Sequence, residues 1–235
     1  MTASPGLPVV SAEVPRAQPG GPEDRVRITE IFFSIQGEST HAGMPCGMVR
    51  LTGCNLRCSW CDTEYSFKGG EWMSLDAVVE AVSAYPIKRV EITGGEPLLQ
   101  KGTPLLARRL LDAGFTVLCE TSGERDISLL PPGVIRIMDL KAPASGESER
   151  NRWENLAELR ATDELKVVCA DRADFDWAVD AIRRHGLLGK LTCSVSPAYG
   201  RLEPRKLAEW VLESGLDLRL NLQLHKTMWG EAPGH

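Results

Sequence analysis

Three cysteines fall within eight residues, Cys54-Asn-Leu-Arg-Cys58-Ser-Trp-Cys61. Thiols at that spacing can converge on one centre, and thiolates are soft ligands that favour an iron–sulfur cluster or zinc. A four-iron cluster held by three cysteines keeps one iron open for a cofactor or substrate, whereas a closed structural zinc site uses four protein ligands. Zinc spacing ordinarily comes as two CxxC-type pairs, and the chain has no second pair. Cys46, in a Gly/Pro-rich stretch, is the candidate for a fourth ligand. The spacing alone leaves a cluster, zinc and a chance grouping open.

A second grouping follows, Ile92-Thr93-Gly94-Gly95-Glu96-Pro97. Glycines let backbone amides and carbonyls approach a ligand closely, and a carboxylate beside them suits an ammonium. Alone, such a run is an ordinary turn.

The elements that must position these residues alternate. Val26 to Ile35 and Gly47 to Thr52 read as strands. Leu75, Val78, Val79 and Val82 form one apolar helix face. Arg89 to Thr93 is a strand, Thr103 to Ala113 a helix stopped by Gly114, and Thr116 to Glu120 and Val134 to Asp139 are strands. Pro143 to Thr162 is polar and reads as a loop with a short helix near Trp153 to Leu159. Glu164 to Cys169 is a strand, Ala173 to His185 a helix, Leu191 to Ser196 a strand, Pro204 to Glu213 a helix, and Leu216 to Leu224 the last strand. Strands alternating with helices imply a parallel sheet with right-handed crossovers. Six or seven such units give an α/β fold that is a partial or full barrel, and the C-terminal strand ends of such barrels carry the chemistry. Cys54, the Gly94–Glu96 run, Glu120 to Ser122, Asp139 with Lys141, Ser196, and Gln223 with His225 all fall at such ends.

The 235 residues are 43% hydrophobic and 25% charged, with a net charge of −5, an ordinary globular composition that argues against nucleic-acid and anionic-membrane partners. No apolar run approaches a membrane span. Met1 to Asp24 is rich in Pro, Gly and Ala, has no secretory pattern, and reads as a flexible tail before a catalytic domain over residues 25–235. Seven cysteines without an export signal imply a reducing, cytoplasmic setting. Cys119, Cys169 and Cys193 lie in apolar runs and read as small core residues.

The Cx3Cx2C loop, with an aromatic residue before its last cysteine, and the Gly–Gly–Glu turn one strand–helix unit later resemble the radical S-adenosylmethionine (SAM) superfamily. Further stretches sharpen the match: Glu30 to Ser39, Arg50, Asp62-Thr63-Glu64-Tyr65, Glu120-Thr121-Ser122-Gly123, Asp139-Leu140-Lys141, and Gln223 to Trp229. This ordered set resembles the 7-carboxy-7-deazaguanine synthase family over about Arg27 to Trp229. The resemblance implies a modified TIM-like (β/α) barrel of the radical SAM type. It implies a ring contraction of 6-carboxy-5,6,7,8-tetrahydropterin to 7-carboxy-7-deazaguanine with loss of ammonia, in queuosine and 7-deazapurine biosynthesis. It also implies a 4Fe–4S cluster, SAM, Mg2+, an external electron donor such as flavodoxin or ferredoxin, and a homodimer.

By the same resemblance, Cys54, Cys58 and Cys61 bind the cluster and Thr63 contacts magnesium, where a hydroxyl is a suitable hard ligand. Read without the family, Thr63 would cap the segment that follows. Ile35, Gln36, Gly37, Glu38, Arg50, Thr93 and His225 match substrate-contacting positions, with the Arg50 fork suited to a carboxylate. Gly94, Gly95, Glu96, Ser122, Asp139, Lys141, Ser196 and Pro197 match SAM-contacting ones. Ser122 stands where relatives often carry Asn, Ser39 where many carry Gly, and Gly230 to His235 match nothing in the family's C-terminus. Two other readings remain: a radical SAM activase that installs a glycyl radical on a protein partner, and a non-enzymatic zinc module with Cys46 as fourth ligand.

Overall fold

A computed structural model describes Gly21 and Glu23 to Gly230. Most of the tail before Asp24, and the residues after Gly230, lie outside the described residues. The strands are β1 (Arg25–Ile35), β2 (Pro45–Leu51), β3 (Glu71–Ser74), β4 (Arg89–Gly94), β5 (Thr116–Thr121), β6 (Ile135–Asp139), β7 (Glu164–Cys169), β8 (Thr192–Pro197) and β9 (Arg219–Leu220). The helices are α1 (Leu75–Ser83), α2 (Thr103–Asp112), α3 (Asn155–Glu158), α4 (Arg172–Arg184), α5 (Pro204–Ser214) and α6 (Leu224–Trp229).

The strands form one nine-stranded sheet in the order β3-β1-β2-β4-β5-β6-β7-β8-β9. β1 pairs antiparallel with β2 and β3, and every pairing from β2 to β9 is parallel. The sheet is open, but it curls until the loop after β1 meets the segment after β9. Leu224 N donates to Gly37 O at 2.9 Å and Ser39 N to Asn221 Oδ1 at 3.0 Å. Of the partial or full barrel that the alternation of elements implies, this is the partial form, TIM-like and not closed.

Local signals explain the helices. Ser74 caps α1 by accepting from Ala77 N, and Asp171 caps α4 by accepting from Asp174 N. Pro204 opens α5, and Gly215 closes it at φ 63°. Leu75, Val78 and Val82 of α1, Leu106 and Leu110 of α2, and Phe175, Ala178 and Ile182 of α4 are buried against the outer face of the sheet. That face carries Val90, Ile92, Val117, Cys119, Leu165, Val167, Cys193 and Val195. Each large aliphatic side chain so buried stabilises the fold by about 1.5–3 kcal/mol. The alternate strand positions point the other way, into the lumen, and many are polar: Glu91, Thr93, Glu120, Asp139, Lys166 and Ser196.

The structure differs from the sequence expectation in four places. The last strand is only Arg219–Leu220, and Leu224–Trp229 is helical, so His225 sits on the first turn of α6 and not at a strand end. β3 is a short edge strand that the periodicity missed. The polar stretch from Pro143 holds the expected short helix, α3, but also two single helical turns, at Pro143–Ser145 and Ser148–Arg150, where a loop was expected. Cys46 lies inside β2, fully buried beside Phe32 and Met48 and not in a loop.

Candidate active site

The cysteine loop leaves β2 through Gly53, at φ 103°. Buried Leu56 anchors it from below. Ser59 N and Oγ donate to Ser145 O and Ala144 O at 2.9 and 2.8 Å, and Arg57 Nη1 donates to Cys54 O at 2.9 Å. Within the loop, Leu56 N donates to Cys54 Sγ at 3.4 Å and Cys61 N to Cys58 O at 3.1 Å. Cys54, Cys58 and Cys61 are half-buried and line one cavity of about 210 Å³. Burial pushes the Cys58 thiol up to about 11 and raises Cys54 as well. A metal taken up here must therefore displace protons.

This donor set fits a cluster better than a single ion. Thiolates around one tetrahedral zinc stand only ~3.8 Å apart, given Zn–S near ~2.3 Å. Among the described residues, no three His, Cys, Asp or Glu side chains gather closely enough to hold one ion. Cys46 is absent from the cavity wall, and its thiol donates to Gly47 O at 3.4 Å. Burial raises its pKa, so it is a structural thiol and no fourth ligand.

The Gly–Gly–Glu turn at the end of β4 packs on the cysteine loop. Glu96 N donates to Gly53 O at 2.8 Å. A Cβ at Gly95 would lie 2.2 Å from Gly53 O, and one at Gly94, where φ is 150°, 2.3 Å from Leu51 O. Only glycine permits that approach. The Glu96 side chain is consumed internally. Its carboxylate accepts from Leu98 N at 2.9 Å, Thr121 Oγ1 at 2.8 Å, and Ser122 N and Oγ at 2.7 Å each. Glu96 is fully buried and does not line the cavity, so the turn presents Gly94 and Gly95 to a ligand while Glu96 fixes their position and that of Ser122.

Opposite this turn, Lys141 Nζ pairs with Asp139 Oδ2 at 2.7 Å. Burial opposes the Lys141 charge, but the Asp139 carboxylate, together with Cys58 in its thiolate form, outweighs it and raises its pKa. Asp139 Oδ1 is buried without a hydrogen-bond partner. An orphaned carboxylate oxygen on a cavity wall is an acceptor for a ligand's hydroxyls or ammonium. Ser196 and Pro197 complete this wall.

The remaining wall is built around the β1–β2 loop. Gln36 Oε1 accepts from Glu38 N at 3.0 Å, and its Nε2 donates to Glu91 Oε2. Glu38 accepts from Lys166 Nζ at 2.7 Å and from Gln223 Nε2 at 2.9 Å. Burial raises the Glu38 carboxyl, yet the Lys166 ammonium overrides it and holds the pKa below the usual carboxylate value. Lys166 also pairs with Glu120 Oε1, whose other oxygen accepts from Thr93 Oγ1 at 3.3 Å. His225 packs against Gly37, where a Cβ would meet its Nδ1 at 1.9 Å, and burial lowers its pKa. Arg50 borders the cavity with Nε on Glu30 Oε1 at 2.7 Å and its guanidinium against the Tyr65 and Phe32 rings. Thr63 Oγ1 lies 3.7 Å from Cys61 Sγ and makes no capping bond to the turn it precedes.

Of the residues matched to cluster, magnesium, SAM and substrate positions, all but Glu96 therefore line one cavity, and Cys46, the candidate fourth ligand, lies outside it. Sequence reasoning missed Glu91, Lys166 and Asn221. Asn221 is buried after β9 and bridges Ser196 Oγ, at 3.0 Å, to the β1–β2 loop. For the first two the sequence offers only an alternation, Glu91 and Thr93, and Glu164 and Lys166, with apolar neighbours between, which places them on the second face of their strands and does not say what that face meets.

A model described as the radical SAM superfamily matches residues 48–139, from β2 through the cysteine loop and the Gly–Gly–Glu turn to the end of β6. The chain is 48% identical over 220 residues to a 7-carboxy-7-deazaguanine synthase of Koribacter versatilis, covering 87% of this chain and 97% of that one. It is 46% identical over 210 residues to one of Chlorobaculum tepidum, covering 88% and 96%. The chain belongs to the 7-carboxy-7-deazaguanine synthase family of radical SAM enzymes. The crystal structure of QueE from Escherichia coli shares the fold, with a TM-score of 0.64 at 22% identity over 85% of this chain and 94% of that one. No helix among the described residues is long and apolar enough to cross a membrane.

Proposed function

We propose that the protein is a carbon–nitrogen lyase that converts 6-carboxy-5,6,7,8-tetrahydropterin to 7-carboxy-7-deazaguanine and ammonia, on the route to queuosine and other 7-deazapurines. The observation that carries this reading is one cavity with two unlike walls: three thiols beside a glycine turn, and a polar lumen that includes Gln36, Glu38, Arg50, Thr93 and His225.

Cys54, Cys58 and Cys61 hold the 4Fe–4S cluster. Gly94, Gly95, Ser122, Asp139, Lys141, Ser196 and Pro197 seat SAM, with Glu96 positioning the turn. When bound, cluster and SAM together supply a reducing electron and a hydrogen-abstracting group. The protein's own groups orient the pterin and keep water from it. The Arg50 guanidinium takes the substrate carboxylate, while Ile35, Gln36, Gly37, Glu38, Thr93 and His225 hold the ring. His225, with its pKa lowered by burial, meets the ring as a neutral imidazole. Thr63, its hydroxyl unused as a cap, contributes a hard oxygen to Mg2+.

A lumen lined by Gln36, Glu38, Arg50, Thr93 and His225 suits a small molecule better than the glycyl radical of a protein partner. Seven free cysteines support a reducing, cytoplasmic setting. Residues 25–235 act as one catalytic domain, served by an external electron donor such as flavodoxin or ferredoxin and working as a homodimer.

The test is anaerobic turnover of reconstituted, reduced enzyme with SAM, Mg2+ and 6-carboxytetrahydropterin. Mass spectrometry should find 5′-deoxyadenosine and 7-carboxy-7-deazaguanine, both lost in Cys58→Ala. Deoxyadenosine without the deazaguanine would sink the substrate assignment.

A further inference from the structure

Glu91 is a buried carboxyl on β4 that lines the cavity and has no role in the reading above. Three carboxyls, Glu38, Glu91 and Glu120, share the lumen with the Lys166 ammonium. Lys166 is committed to Glu38 and Glu120. The remaining oxygen of Glu38 accepts from Gln223, and that of Glu120 from Thr93. Arg50, whose guanidinium charge acts on Glu91, is paired with Glu30.

The groups facing Glu91 come from four elements. The β1–β2 loop contributes Gln36 and Glu38, and β2 contributes Cys46 and Arg50. β5 brings Glu120 and β7 brings Lys166, while Cys119 of β5 lies on the opposite face of the sheet. Burial raises the Glu91 carboxyl well above its ordinary value, and the Glu120 and Glu38 charges raise it further. Lys166 and Arg50 offset only part of this. Like carboxylates crowded together resist ionising all at once, and the buried one without a cation is the one favoured to keep its proton.

Hydrogen bonding places that proton. Gln36 Oε1 is occupied by the Glu38 N–H at 3.0 Å, which fixes the amide so that Nε2 faces Glu91. Glu91 Oε2 is therefore an acceptor, and a proton on this carboxyl would sit on Oε1, where it can be donated into the cavity. A Gln side chain in this place could reproduce both bonds, accepting from Gln36 and donating into the cavity.

We propose that Glu91 is a specificity-determining residue that donates a hydrogen bond to an acceptor atom of the substrate ring, a carbonyl oxygen or an unprotonated ring nitrogen. This rests on the pterin reading above. Gln36, held by the same carboxyl, is positioned with it, so one edge of the ring is read by two neutral groups beside the charged Glu38.

The experiment measures the dissociation constant of 6-carboxytetrahydropterin for the reconstituted, SAM-loaded protein and its Glu91→Gln and Glu91→Ala variants. Glu91→Gln should bind within about twofold of the parent, and Glu91→Ala about tenfold more weakly, the loss of one good hydrogen bond. Difference infrared spectra, substrate-bound minus free at neutral pH, should show a carboxylic-acid carbonyl band that shifts on binding and is missing in Glu91→Gln. Affinity lost equally in Glu91→Gln and Glu91→Ala, or no such band, overturns the proposal while leaving the substrate assignment standing. A parent protein that binds SAM but not the pterin overturns both.

Discussion

Lys166 Nζ lies 2.7 Å from Glu38 Oε2 although 128 residues of chain separate the two. The bond joins β7 to the β1–β2 loop across the lumen and holds Glu38 ionised where a ligand would meet it. The Glu38 pKa is depressed, so its contribution is complete above the usual carboxylate value and is lost as pH falls through the folded value. The Lys166 pKa is raised, so its contribution is complete below the usual lysine value and is lost as pH rises through the folded one. Both therefore stabilise the fold at neutral pH. Lys166→Met leaves Glu38 and Glu120 without their cation and should destabilise the protein by about 3 kcal/mol. The deficit should shrink in acid, as the two stranded carboxyls protonate. Urea midpoints measured across pH test this, and an equal deficit at every pH would refute it.

The strands were legible because each shows an apolar face, and Arg89–Gly94, Glu164–Cys169 and Thr192–Pro197 fall within a residue of expectation. What was not legible is where the other face points. Alternation in Val90-Glu91-Ile92-Thr93 reads the same whether Glu91 meets water or a lumen. Only the curl of the sheet, a property of all nine strands, brings Glu91, Glu120 and Lys166 together. β9 failed for a different reason. Leu216 to Leu224 is apolar enough for a strand, but only two of its residues pair with β8, and Gln223 begins a helix that carries His225 to Gly37. The Glu96 side chain was misplaced because sequence shows a carboxylate beside glycines and not the four donors that occupy it.

Cys58 and Cys46 separate the cluster from a closed zinc site. Cys58→Ala should lose bound iron and the visible absorbance of the reconstituted protein. Cys46→Ala should keep both, at a stability cost of about 1 kcal/mol for a small buried side chain. Iron content and thermal unfolding of the two variants decide the matter. Loss of metal in Cys46→Ala would restore the four-ligand reading.

Gly95 brings the turn after β4 against the loop after β2. In Gly95→Ala the new methyl meets backbone, Gly53 O at 2.2 Å, which no side-chain rotation can relieve. The turn must lift from the cysteine loop. We expect a loss of about 2 kcal/mol in stability and SAM binding weakened at least about tenfold, a conservative bound for a displaced backbone cradle. Equilibrium binding of SAM to the reconstituted variant reads the second effect, and unchanged affinity would show that the turn does not seat SAM.

Ser39 tests the strain in the substrate-side loop. Among the described residues it is the one non-glycine with positive φ, at 66°, and it is buried. A left-handed conformation costs an ordinary residue about 1–2 kcal/mol. Ser39 recovers part of this, since its Oγ accepts from His41 N at 3.1 Å and its N–H reaches Asn221 Oδ1 at 3.0 Å. Ser39→Gly removes the strain but also that acceptor, and it loosens the unfolded chain, so the net change should stay within about 1 kcal/mol. Ser39→Val adds a β-branched side chain in the same conformation and supplies no acceptor, and should lose about 3 kcal/mol. The displaced loop carries Glu38 and Gln36, so the pterin KM should rise in Ser39→Val and hold in Ser39→Gly. If Ser39→Val unfolds at the parent's urea midpoint with the parent's KM, the left-handed turn is not what positions Glu38.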